Sequence, residues 1–226
     1  MPDFTHKRFD DRILDREDDG GAFERFVDEF LRQQEPDAAL VRGLAKGRDG
    51  AIDLSDQDAP ITRIVECKFI GANTEGKAAD RWGEVRRNLE NNLPPLAAGD
   101  DKGRGKYRPW LRSQGNLSTY TFVTSAIAAS TDERTALQRS IEEFFAELSN
   151  KHPDLNHLRH LKVEPRYWDD LIGKAASFPQ LFHRWFGGLP YGYGDIALSF
   201  GSEAGFKRFL ESRHLPYFSR DAYLAE

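Results

Sequence analysis

The sequence predicts an α/β domain in which helices flank a central mixed β-sheet. Three observations carry that expectation. Apolar residues recur at helical spacing in three separate stretches. Short runs rich in β-branched residues, bounded by turn formers, stand between them. The order reads helix, hairpin-type strands, helix, strand, helix, strand, which is the pattern of a layered α/β sandwich.

The first dozen residues are polar and read as a loose arm. Phe23, Phe26, Val27, Phe30 and Leu31 then place an amphipathic helix over residues 22–34, with Asp18 and Asp19 suited to its N-terminal end. Leu40 to Leu44 is a short strand. Gly47-Arg48-Asp49-Gly50 is a turn, and Ala51 to Leu54 is a second strand piece. Residues 55–60, dense in turn formers, lead to a strand from Thr62 to Phe69. Ala78 to Leu93 reads as a helix stopped by Pro94-Pro95. Ala97 to Gly105 is an exposed loop, and Tyr120 to Thr124 is a buried strand. Thr131 opens a helix whose apolar side carries Leu137, Ile141, Phe144, Phe145 and Leu148. Leu161 to Trp168 is the last core strand, followed by helical turns around Leu171 and Phe182. Gly187 to Pro190 is a break, and Ser202 to Ser212 is a further helix. The expected division is a domain over residues 1–186 and a helical, aromatic extension over 187–226.

The bulk numbers exclude several classes. With 226 residues and 39% hydrophobic content, the chain can bury a core and is no disordered polymer. A single cysteine, Cys67, rules out an internal disulfide framework and suits a reducing, cytoplasmic setting. The N-terminal run has no apolar segment of the secretory kind, and no stretch is apolar enough to span a membrane. The net charge of −5 argues against a protein that merely coats nucleic acid. Charge is unevenly spread: Asp and Glu dominate residues 1–40, while Lys102, Arg104, Lys106, Arg108 and Arg112 crowd one stretch that holds the acid Asp101.

The chemistry concentrates in Gly47-Arg48-Asp49-Gly50-Ala51-Ile52-Asp53 and, beyond the turn, Val65-Glu66-Cys67-Lys68. Strand side chains alternate, so Glu66 and Lys68 share one face while Val65, Cys67 and Phe69 take the other. A hairpin partner sets Asp53 close to Glu66. Two neighbouring carboxylates repel each other, and a divalent cation removes that cost. Oxygen donors suit Mg²⁺, with Mn²⁺ as a substitute, and the backbone carbonyl of Cys67 is placed to be a further ligand. A metal bound there can polarise a phosphodiester and help generate hydroxide from water, with Lys68 acting on the water or on developing transition-state charge.

The run GRDGAID followed by VECK resembles the Mrr-like branch of the PD-(D/E)xK nucleases. The resemblance extends over the order of elements from residue 22 to about 170. It implies a restriction-endonuclease-like core of αβββαβ order, with Asp53 and Glu66 as the two acids and Lys68 as the lysine. Relatives often carry an extra acid on the first helix, which here is Glu24. The proline of the nominal motif is absent, since Ile52 precedes Asp53, a departure common among Mrr-like members. The implied activity is Mg²⁺-dependent cleavage of DNA, double-stranded by expectation, in a restriction or antiviral-defence effector. Two strands need two cuts, so a homo-oligomer is expected. Residues 215–224, LPYFSRDAYL, resemble the lead-in to a STAND-type NTPase module, which implies fusion to or control by such a module.

Blander readings stand beside these. Asp53, Glu66 and Lys68 could instead be a surface ion pair on an exposed strand face, and the fold could serve a catalytically inactive nucleic-acid-binding or scaffolding module. An RNA-cleaving relative would use the same metal chemistry. Glu24 reads equally as a helix-end charge, and Asp49 more readily shapes its turn than binds metal. Lys102 to Arg112 could track phosphates, with Tyr107 and Trp110 as stacking surfaces, or be a solvated loop. Arg81, Arg86 and Arg87 could face DNA or solvent. His6, His152, His157, His160, His183 and His214 lack metal-finger spacing, and Gly99 to Lys106 lacks the spacing of a P-loop. The cluster Phe178, Phe182, Trp185 and Phe186 reads as core or an interface rather than a base-stacking platform.

Overall fold

A computed structural model describes residues 19–35, 40–42, 50–56, 61–70, 77–111, 117–175, 177–186 and 207. Apart from residue 207, the expected helix at 202–212 and the 187–226 extension lie outside the described residues, as do the break at 187–190, the string at 215–224, Asp49, Arg112, His6 and His214.

Helix α1 (Asp19–Gln34) follows the apolar stripe: Phe23, Phe26, Val27, Phe30 and Leu31 are all fully buried. Three strands come next, β1 (Leu40–Arg42), β2 (Leu54–Asp56) and β3 (Arg63–Lys68). Helix α2 (Ala78–Ala97) and a 3-10 helix, Gly105–Trp110, lead to β4 (Thr119–Thr124). Helix α3 (Thr131–Lys151) starts on a Ser130 cap whose hydroxyl accepts the Glu133 N–H at 3.2 Å. A second 3-10 helix, Pro153–His160, precedes β5 (Lys162–Arg166), and α4 (Trp168–Ala175) and α5 (Pro179–Phe186) close the described part.

The five strands form one sheet in the order β1-β2-β3-β4-β5. The first three pair antiparallel and the last three parallel, so the sheet is mixed. Helices cover both faces, and the expected α/β sandwich is what forms. On one face Ile64, Tyr120, Phe122 and Val163 meet Trp82, Val85 and Leu89 of α2 and Ile141, Phe144 and Phe145 of α3. On the other, Val65, Cys67 and Val123 meet the aromatic stripe of α1 together with Trp168, Phe182 and Trp185. The aromatic tail cluster is therefore core, as its composition indicated; Phe26 and Trp185 rings lie 5.8 Å apart.

Several boundaries differ from expectation. Helix α1 begins at Asp19 rather than at residue 22, and of the strand expected over Ala51 to Leu54 only Leu54 lies in β2, because Gly50 and Ala51 take left-handed backbone. Helix α2 continues through Pro94 and Pro95 to Ala97. Each proline removes one N–H and crowds the preceding turn, but Leu93 and Leu96 beside them are buried and hold the last turn down. The carbonyls of Pro94 and Pro95 are used by the N–H groups of Ala98 and Asp100 at 3.0 and 2.9 Å. Ser55 and Asp56, expected in a turn, belong to β2. The Asp56 carboxylate accepts the Thr62 and Arg63 N–H groups at 2.9 and 2.7 Å, so an acid that disfavours strands fastens the hairpin instead. The last strand stops at Arg166, and Trp168 opens α4. The Tyr167 N–H turns to the Asp170 carboxylate at 2.9 Å, which starts the helix.

Candidate active site

The turn before β2 is left-handed at two successive residues, Gly50 (φ 76°) and Ala51 (φ 59°). That conformation costs little at Gly50 and about 1–2 kcal/mol at Ala51. It is held from outside: the Trp110 indole N–H donates to the Gly50 carbonyl at 2.9 Å, and the Trp110 carbonyl is bound in turn by His157 Nε2 at 2.8 Å. The chain then delivers Asp53 to the end of the hairpin, where its N–H donates to the Val65 carbonyl at 3.0 Å.

Leu54 pairs with Val65, so one further step along the register sets Asp53 opposite Glu66. Both carboxylates are buried, Asp53 5% and Glu66 1% exposed. Burial of this kind is tolerated only with compensation. Asp53 Oδ2 accepts the Cys67 N–H at 2.5 Å. Glu66 Oε1 is ion-paired with Lys68 Nζ, which also donates to the Cys67 carbonyl at 3.2 Å. Asp53, Glu66 and Lys68 are thus gathered at the C-terminal end of β3, beside the C-terminal end of β4, where Lys68 pairs with Thr124. Open α/β sheets bind ligands at the carboxyl ends of parallel strands.

The field there is negative. Burial pushes the Cys67 thiol well above its ordinary pKa, and Asp53, Glu24 and Glu66 push it the same way against the opposing pull of Lys68. The Tyr120 phenol, on the Glu66 face, is also raised, first by burial and then by Glu66, Asp53 and Cys67. Glu24 is half-buried on α1 and acts electrostatically on Cys67. Among the described residues no group of three or more His, Cys, Asp or Glu side chains is drawn together as a metal cage. Asp53, Glu66 and the Cys67 carbonyl offer hard oxygen donors, the kind that Mg²⁺ or Mn²⁺ takes.

Tyr107 and Trp110 are neither stacking surfaces nor part of a solvated loop. Tyr107 is 4% exposed and Trp110 fully buried; their rings fill the core beneath the Gly50 turn, with Trp110 and Phe145 centroids 5.8 Å apart. Indole and phenol rings so large are worth more inside the core than in solvent. The basic stretch is partly neutralised in place. Arg104 pairs with Asp100 at 2.8 Å, Arg108 pairs with Asp101, and Lys106 lies over the Tyr107 ring. Arg81 pairs with Glu84 at 2.8 Å, and Arg86 reaches Glu147 and the Phe144 ring; Arg87 is exposed. His157 serves the Trp110 carbonyl, a structural role. Sequence reasoning missed that Trp110 and His157 fix the turn before Asp53. Nothing local signals it, because 60 residues separate Trp110 from Gly50.

Comparison with protein-family models, with curated proteins and with solved structures finds no match to this chain.

Proposed function

We propose that the chain is a divalent-metal-dependent nuclease that hydrolyses DNA phosphodiester bonds, built on a restriction-endonuclease-like core and acting as a restriction or defence effector. The carrying observation is the gathering of Asp53, Glu66 and Lys68, each from a hairpin strand or its approach, into one buried polar site among apolar neighbours. The order α1, β1-β2-β3, α2, β4 agrees with the αβββαβ order of PD-(D/E)xK enzymes, and the site lies at the strand ends where such sheets bind ligands.

Asp53 and Glu66 would hold the cation, with the Cys67 carbonyl as a further oxygen. A bound Mg²⁺ would supply Lewis-acid polarisation of the phosphate and lower the pKa of water. Asp53, fixed by the Cys67 N–H, presents its carboxylate without reorganisation. Lys68 holds a positive charge at the site mouth, where its side chain is 26% exposed, and can stabilise charge on the phosphoryl oxygens. Glu24 adds to the negative field from α1. Because a duplex has two strands, the active form is an assembly of at least two copies.

The test is cleavage of plasmid DNA and of a matched RNA with Mg²⁺, with Mn²⁺ and with chelator. Wild type nicks and linearises the plasmid only with metal. Glu66→Gln and Lys68→Ala each lose about 100-fold or more in rate, the size expected when a metal ligand or a charge-stabilising donor is removed. Retention of metal-dependent cleavage by both variants refutes the assignment, and cleavage of RNA alone reassigns the substrate. An intact plasmid with wild type, alongside DNA binding, supports a silent module on the same fold.

A further inference from the structure

We propose that Lys68 is a tethered counter-cation of this centre, one that a divalent cation must displace to bind, so that loading the site and freeing the lysine are a single event. The inference rests on the reading of Asp53, Glu66 and the Cys67 carbonyl as a cation site.

The Lys68 ammonium lies against Glu66 Oε1 and the Cys67 carbonyl among its contacts. Those are two of the donors that a hard cation would use. An ammonium and a divalent ion cannot share them at contact distance, since like charges in a shielded site repel strongly. Glu66 is 1% exposed and so depends on a compensating positive charge. Lys68 supplies it from the last residue of β3, on a flexible four-carbon stem, with its side chain 26% exposed. The lysine can therefore leave toward solvent by rotating its side chain, with no change in backbone. Asp53, by contrast, is bound to the Cys67 N–H and stays where it is. Exchange thus replaces one charge by two on the same oxygens and moves the ammonium outward, to where a phosphate would approach.

Two measurements test this. The first is Mn²⁺ affinity of the full chain and of Lys68→Met by titration calorimetry. The expected result is tighter binding by the variant, by roughly tenfold to a hundredfold, the size of a charge-assisted contact pair lost to competition. The second uses wild type alone, so it survives any misfolding of the variant. Amine acylation of each lysine is followed by mass spectrometry with and without saturating Mn²⁺. Lys68 should label several-fold faster with Mn²⁺, while Lys162, on β5, is unchanged. Equal or weaker Mn²⁺ binding by Lys68→Met, or slower Lys68 labelling with Mn²⁺, overturns the displacement while leaving the cation site standing. Absence of Mn²⁺ binding by both proteins overturns the cation site and the inference with it.

Discussion

Replacing Gly50 by alanine should destabilise the protein far more than the same change at either of two other glycines. A Cβ at Gly50 would lie 2.8 Å from the Lys106 carbonyl carbon, closer still to its oxygen, and 3.2 Å from the Tyr107 nitrogen. Those are backbone atoms, so the 3-10 helix Gly105–Trp110 must move away. The φ of 76° adds about 1–2 kcal/mol of strain for any L side chain. Moving that helix also strips the buried Trp110 indole N–H of the Gly50 carbonyl, worth about 1–3 kcal/mol as an unsatisfied buried donor. Together these give a loss of about 2–5 kcal/mol. Gly99 has φ of 91° but open space around its Cβ position, so Gly99→Ala should lose only about 1–2 kcal/mol. Gly83 lies inside α2 with nothing near its Cβ position, so Gly83→Ala should gain up to about 1 kcal/mol from helix propensity. Urea denaturation followed by tryptophan fluorescence compares the three, with m-values checked for constancy. A loss under about 1 kcal/mol for Gly50→Ala, or equal effects for Gly50 and Gly99, would refute the claim that the turn before Asp53 is clamped by the 3-10 helix.

Two further outcomes follow from the electrostatics. Burial and the neighbouring carboxylates hold the Cys67 thiol protonated, so a disulfide reagent at pH 8 should leave the native protein unlabelled and modify one thiol on unfolding; native labelling at the unfolded rate contradicts the packing around β3. Burial alone would raise the Glu164 carboxyl, but the bond and charge of Lys162, then Arg166 and Arg63, outweigh it and hold the pKa below its ordinary value. A depressed carboxylate contributes stability above its unfolded pKa and loses it as pH falls through the folded one. The stability gap between wild type and Glu164→Gln should therefore be small but measurable at pH 7 and should narrow as acid protonates the folded carboxyl; a gap that acidification leaves unchanged removes the ionic explanation.

Local patterning was enough to establish the α/β class, the helices at Phe23–Leu31 and Leu137–Leu148, and the shared face of Glu66 and Lys68. A helix declares itself through repeats three and four residues apart, and a strand through repeats of two, so both are written in neighbouring residues. Asp53 could be set near Glu66 for the same reason, because a hairpin is the most local way to pair strands. The turn clamp, the fate of the loop aromatics and the end of α2 were decided by tertiary structure. Trp110 and Tyr107 occur in a charged, glycine-rich stretch whose composition reads as exposed, yet both rings fill the core under the Gly50 turn. Pro94 and Pro95 carry a local stop signal that the buried Leu93 and Leu96 override. Burial against a distant element is worth several kcal/mol, more than most single-residue preferences, and no window of adjacent residues contains the partner that provides it.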